Sequence, residues 1–221
     1  MILVLLLMLP FLGAFISAIT KPKAAALFSL ILHIFTFGLG LRCAYMAVSG
    51  NLPISEGNFL RLDALSAFFI VVITFVNLSS LIYSRSYLEP RRSYYVLFNL
   101  FAGSMILVPL LDNLGAMWVA VELTTLISAF LVGFYNTKSS IEAAWKYLII
   151  CSVGITLALL GTVLFYHSAQ VAGISSLNWS AISSIAESLD HRMVSIAFLF
   201  ILVGYGTKAG IASMHTWLPD A

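Results

Sequence analysis

Apolar positions in this chain neither alternate nor keep to one helical face; they run on, segment after segment, between short polar interruptions. Continuous runs of ~20 residues are what a helix needs to cross a bilayer core. Strands of a membrane barrel would read instead as ~10-residue alternating segments. The pattern therefore predicts helices near 1–20, 24–48, 64–84, 94–111, 114–135, 143–166 and 193–213. The breaks are Lys21-Pro22-Lys23, Ser49 to Asp63, Arg85 to Ser93, Asp112-Asn113, Asn136 to Ser140, and a long loop over 167–192. That loop has modest amphipathic character and room for a short helix lying on the outer surface. No stretch is of low complexity and no loop has room for a soluble domain. The expectation is one all-α polytopic transmembrane bundle over 1–221.

Composition agrees and removes alternatives. Hydrophobic residues make up 61% of the chain and charged residues 9%, with a mean hydropathy of +1.04. Soluble domains are about 45–50% apolar and ~25% charged. The net charge of +2 comes from scattered basic residues, so nucleic acid is not an expected partner. Cys43 and Cys151 both lie in apolar runs without metal-ligand spacing, and they read as small buried residues. The opening MILVLLLMLPFLGAFISAI lacks a basic stretch before it, which predicts a retained first span rather than a cleaved signal. The triplet Asn178-Trp179-Ser180 matches a glycosylation sequon but is common by chance.

Charge sets the expected orientation. With the N-terminus outside, the cytoplasmic face carries Lys21, Lys23, Arg85, Arg91, Arg92, Lys138 and Lys146. Only Arg42, Arg61 and Arg192 fall on the other face, together with Glu56, Asp63, Asp112, Glu187 and Asp190. Basic residues concentrate on the cytoplasmic side of membrane proteins, so the chain is expected to start outside and its seventh span to run inward.

Two ionisable residues remain deep in predicted spans. Glu122 lies mid-way along the fifth and Lys208 towards the cytoplasmic end of the seventh. A charge at a helix centre costs ~2.5–3.5 kcal/mol on insertion scales, so such residues usually face protein, a partner charge or water. Two such groups ~10 Å apart at an effective dielectric near 20 interact by about 1.7 kcal/mol, enough for one proton to influence the other. Either a coupled relay or a static Glu122–Lys208 bridge joining two helices would account for them. Lys146, four residues after Glu142, reads as half of a solvated ion pair at a helix start. Around Lys208, the glycines Gly204, Gly206 and Gly210 predict a weakened, broken helix where backbone groups meet water. His215 and Asp220, in Met214-His215-Thr216-Trp217-Leu218-Pro219-Asp220, are placed to bear protons at the cytoplasmic exit or entry. His33 reads as an interior histidine; His167 and His191 fall in the outer loop. No nucleophile–base pair or metal-ligand cluster supports a soluble-substrate enzyme.

The stretch GTKAGIASMHTWLPDA resembles the signature of antiporter-like membrane subunits shared by respiratory complex I, multisubunit sodium/proton antiporters and membrane-bound hydrogenases. MWVAVELTTLISAFLVGFY and EAAWKYLIICSVG resemble the same family, and together the three look closest to component F of hydrogenase-4. The similarity runs from about Leu62 to the last residue. It implies that Glu122 and Lys208 form the input half of a path for protons or sodium ions, with Lys146 joining them despite its solvated look. It further implies a place in a multisubunit complex of the cell inner membrane. There, a peripheral arm holds the iron–sulfur and nickel–iron or flavin centres, and this chain binds no cofactor and has no catalytic site of its own. Two departures stand out. Ser213 occupies a position where the family usually has proline. The family normally has about fourteen helices in two inverted repeats, an arrangement common among transporters. The chain is accordingly expected to be the N-terminal portion of that architecture.

Overall fold

The computed structural model describes residues 1–212 and 214–220. Seven described helices are long and apolar enough to cross a membrane: α1 (Ile2–Ile19), α2 (Pro22–Val48), α3 (Ala64–Tyr87), α4 (Arg92–Leu110), α5 (Leu114–Val132), α6 (Lys138–Val171) and α8 (His191–Ala209). The predicted all-α polytopic bundle is observed. Between α6 and α8 lie a short helix, α7 (Trp179–Ser183), and a 3₁₀ turn, Ala186–Ser188.

Local chemistry sets the boundaries. Asp63 and Asn113 cap α3 and α5 by accepting from the backbone N–H of Ser66 at 2.8 Å and Ala116 at 3.0 Å. Pro22 opens α2, where its missing N–H costs nothing. The largest shift from the sequence expectation is at α6, which starts at Lys138 rather than 143. Thr137 and Ser140 form a reciprocal capping box that starts the helix five residues early. The Ser49–Asp63 break also holds an unpredicted antiparallel hairpin of β1 (Ile54–Glu56) and β2 (Leu60–Leu62), turning at Gly57 with φ +68°.

The chain divides into two compact units, Met1–Leu111 and Asp112–Ala221. In unit 1, α1 packs on α2 and α4, while α3 packs on α2 and α4. Its cores are Leu3, Leu6, Leu62, Ile70, Ile106 and Leu110 towards one end, and Ala25, Ala26, Leu81, Tyr95 and Phe98 towards the other. In unit 2, α6 is central and packs on both α5 and α8. The connection after α6 is tied down at α5: Trp179 N–H donates to Asp112 O at 2.6 Å and Leu114 N–H to Leu177 O at 2.9 Å. Asn178, the sequon residue, accepts from Asn113 Nδ2 at 3.0 Å. Large apolar side chains such as Phe15, Phe35, Phe68, Phe130 and Phe198 point outward. An apolar surface of that extent marks contact with a membrane or a partner.

Candidate functional site in unit 2

The α6–α8 seam positions the site. A Cβ on Gly204 would lie 2.5 Å from Ala158 N, one on Gly161 2.6 Å from Ala197 O, and one on Gly154 2.5 Å from Thr207 Cβ. Helix backbones therefore approach as closely as small residues allow, and Lys208 is the next residue after Thr207. Gly204 and Gly206 do not break the helix as expected from the sequence: α8 is continuous through Ala209. Gly204 admits α6, and Gly206 leaves space for Ile211, whose Cδ1 would lie 2.8 Å from a Cβ there.

The break comes at Gly210, in the left-handed region at φ +76°. Gly210 N–H donates to Thr207 O at 3.2 Å and Ile211 N–H to Gly206 O at 2.9 Å, the paired bonds of a Schellman motif. Among the described residues, a bend at Met214 leads to turns over 216–220; Ser213 lies outside them. Trp217 Nε1 donates to Thr207 O at 3.0 Å, and its ring packs edge-on against Tyr147 with centroids 4.9 Å apart.

Lys208 is partly buried within this arrangement. Its ammonium donates to Thr125 Oγ1 at 3.1 Å and to the Tyr147 hydroxyl, with Nζ 4.8 Å from the centre of the Tyr147 ring. The Tyr147 and Ser128 hydroxyls are 2.7 Å apart. Ser128 spends its own proton on Thr124 O at 2.6 Å, so Tyr147 donates to Ser128. Glu122 lies on the same face of α5, three residues before Thr125, a spacing that sets side chains ~5–6 Å apart at Cβ. Ser152 of α6 donates to Glu122 Oε1 at 3.0 Å, while Oε2 is buried with no hydrogen-bond partner. Among the described residues no ion pair joins Glu122 to Lys208; hydroxyl groups hold each of them.

Lys146 is placed elsewhere. It is exposed and pairs with Glu142 at 2.9 Å and Asp220 at 3.1 Å. The i,i+4 pair read from the sequence is present, and Asp220 closes it into a triad across the turn segment. His215 is exposed beside Gly210. Sequence reasoning missed Thr125, Ser128, Tyr147, Ser152 and Trp217. Helical spacing from Glu122 was an available signal for Thr125. Nothing local marked the other four, because their roles come from partners at least nineteen positions away, or ten for Trp217. Among the described residues no group of three or more His, Cys, Asp or Glu could hold a metal ion.

Comparison with known proteins covers both units. A family model described as "NADH:quinone oxidoreductase/Mrp antiporter, TM" matches residues 112–221, the whole of unit 2. A second, described as "NADH-Ubiquinone oxidoreductase (complex I), chain 5 N-terminus", matches 45–98. The hydrogenase-4 component F homolog of Methylacidiphilum infernorum is 38% identical over 179 residues, covering 75% of this chain and 38% of that one. NADH-quinone oxidoreductase subunit N of Desulforudis audaxviator is 32% identical over 175 residues, covering 76% and 34%. Among solved structures, a chain of the membrane-bound sulfane sulfur reductase, an archaeal respiratory membrane complex, superposes with a TM-score of 0.86 at 22% identity. That match spans 99% of this chain and 47% of the other, and it shows the shared fold. The chain spans less than half the length of each of these proteins.

Proposed function

Because the chain belongs to the family of antiporter-like membrane subunits found in NADH:quinone oxidoreductases, Mrp antiporters and hydrogenase-type complexes, we propose that it carries one proton-translocating site, centred on Glu122 and Lys208. The observation that carries this reading is the cradle itself. A lysine is held by two hydroxyls, one of which, on Thr125, stands about one helical turn along α5 from a carboxylate with one oxygen bound and the other unpartnered. Glu122 Oε2 is the atom that takes up a proton. When it does, the negative charge that favours the Lys208 ammonium is lost, and Lys208 gives up a proton more readily. Release of that proton in turn leaves Glu122 easier to protonate. Coupling of this kind makes two sites act as one relay, and it requires no covalent chemistry.

Tyr147, Thr125 and Ser128 orient the ammonium rather than carry the charge. The tyrosine hydroxyl donates its hydrogen bond to Ser128, which donates its own to a backbone carbonyl, so that branch is closed. Lys146, with Glu142 and Asp220, stands at the solvent side of α6 as the entry charge, and the exposed His215 serves the same face. On this reading the chain is a multi-pass subunit of a prokaryotic inner membrane, N-terminus outside. It works beside other membrane subunits and a peripheral arm that holds the iron–sulfur and nickel–iron or flavin centres. The orientation rests on the concentration of basic residues described above.

The test is Glu122→Gln and Lys208→Ala, each in the intact complex, with proton release per electron as the readout and electron transfer rate as the control for assembly. Each variant is expected to abolish coupled release at this subunit. Undiminished proton release in both would overturn the assignment.

A further inference from the structure

Unit 1 contains a second buried polar cluster, and it is built without charge. Ser17 of α1 and Ser29 of α2 share a hydrogen bond of 3.2 Å. Asn99 of α4 donates Nδ2 to Ser29 Oγ at 2.7 Å and to Tyr95 O at 2.6 Å. His33, one turn beyond Ser29 and 2% exposed, has its Nδ1 at 3.0 Å from Ser29 O. Its ring stands against Phe98, centroids 5.5 Å apart.

A carbonyl oxygen only accepts, so Nδ1 carries the hydrogen of this imidazole and donates it. Nε2 is then the basic nitrogen with a free lone pair, and it is buried without a hydrogen-bond partner. Asn99 Oδ1, also an acceptor, is fully buried and equally unpartnered. It faces Gly13, where a Cβ would lie 2.5 Å from it. Two acceptors cannot satisfy one another, and both need a donor. Three more polar atoms of the unit, Arg61 Nε, Asn77 Nδ2 and Tyr95 Oη, are buried without partners as well.

We propose that unit 1 binds water at His33 Nε2 and Asn99 Oδ1, forming an internal hydrated site in which His33 is the proton acceptor. Water supplies the two O–H donors that the two acceptors require, and it brings no charge. A metal cation fits poorly, since none of the helices around the cluster offers a buried carboxylate. The ionisable groups on these helices bear this out. α1 has none. Lys23, Arg42 and Tyr45 of α2, Tyr83, Arg85 and Tyr87 of α3, and Arg92 of α4 are exposed. Tyr94 and Tyr95 of α4 and Cys43 of α2 are the inward-facing ones, and none is anionic at neutral pH. A proton on His33 therefore depends on water for its stabilisation. His33, Ser29, Ser17 and Asn99 all lie outside the segments matched by the two family models.

The test uses the full chain with His167, His191 and His215 replaced by Gln, so that His33 is the only histidine. The protein is labelled with ¹⁵N-histidine and placed in phosphatidylethanolamine–phosphatidylglycerol bilayers. Water-edited solid-state NMR is expected to show a bare Nε2, a protonated Nδ1, and magnetisation reaching the ring from water within milliseconds. Asn99→Leu, which removes the second acceptor, is expected to slow that transfer several-fold. A ring that receives nothing from water, a bare Nδ1, or a transfer rate unchanged in Asn99→Leu would overturn the proposal. A sodium titration that moves the Nε2 signal would overturn water as the ligand.

Discussion

The two units use glycine differently where their helices cross. In unit 1 a glycine faces a side chain: Gly13 meets Asn99 Oδ1, Gly40 meets Thr74 Oγ1 at 2.7 Å from a built Cβ, and Gly103 meets the Phe11 ring at 3.0 Å. In unit 2, Gly204 and Gly161 face the backbone of the opposing helix, at Ala158 N and Ala197 O. A side chain can change rotamer to admit a methyl group, whereas a packed helix backbone has to move as a whole. Unit 1 is therefore built with some give around its polar cluster. The α6–α8 seam of unit 2 fixes the height and direction at which Lys208 leaves its helix.

The sharpest way to break this comparison is a matched pair of substitutions. Gly204→Ala is expected to cost about 3 kcal/mol, at the upper end of overpacking effects, and Gly40→Ala about 1 kcal/mol. Reversible unfolding in micelles measures both, and equal losses would show that backbone and side-chain contacts do not differ here. Tyr147→Phe comes next. It takes one hydroxyl from Lys208 and leaves Ser128 without its donor, so a loss of about 2 kcal/mol is expected, the range for hydrogen bonds to a charged group. Retained stability would mean the ammonium draws its support from elsewhere.

Smaller effects are expected at the exposed ion pairs. Lys146→Gln removes both the Glu142 and Asp220 contacts. Because the pairs are exposed, little change in unfolding midpoint is expected; the readout is instead Trp217 emission, which should report a looser turn segment. Unchanged emission would mean that the Trp217–Thr207 bond alone holds that segment. Smallest of all is the pH effect at the start of α8. Backbone N–H groups of Met193 and Arg192 hold the Asp190 carboxyl below its ordinary value of 3.8. A depressed carboxyl contributes stability that is complete above the unfolded value and disappears as pH falls through the folded one. Asp190→Asn should therefore remove the acid-side slope of the stability profile below about pH 4, any difference from the parent protein being full at neutral pH and fading in acid; an acid slope unchanged in the variant would place the effect elsewhere.

The spans were legible in the sequence because a bilayer imposes a length and a composition, and those are properties of single segments. Glu122 and Lys208 were legible for the same reason: a charge in an apolar run is conspicuous wherever it points. The start of α6 was read late because Thr137 and Ser140 look like loop residues until their mutual hydrogen bonds are known. Gly204 and Gly206 were read as weakness because glycine loosens an isolated helix. Their effect here comes from Ala158 and Ile211, one of which lies on another helix. Tyr147, lying beside the conspicuous Lys146, was invisible for the opposite reason: a buried tyrosine among apolar residues announces nothing until its hydroxyl has a partner.

Ending α8 at Gly210 has an electrical effect as well as a steric one. The peptide dipoles of a helix sum to roughly half a negative charge at its C-terminus, carried by the last carbonyls. Lys208 stands in that final turn, so part of the potential that would otherwise come from a carboxylate is supplied by the backbone on which the lysine itself sits. A helix continuing past Gly210 would move that negative pole away and leave the ammonium with hydroxyl partners only. The turn that redirects the chain is thus also what places a counter-charge, one that cannot be titrated, beside Lys208, which has no acidic partner in contact among the described residues.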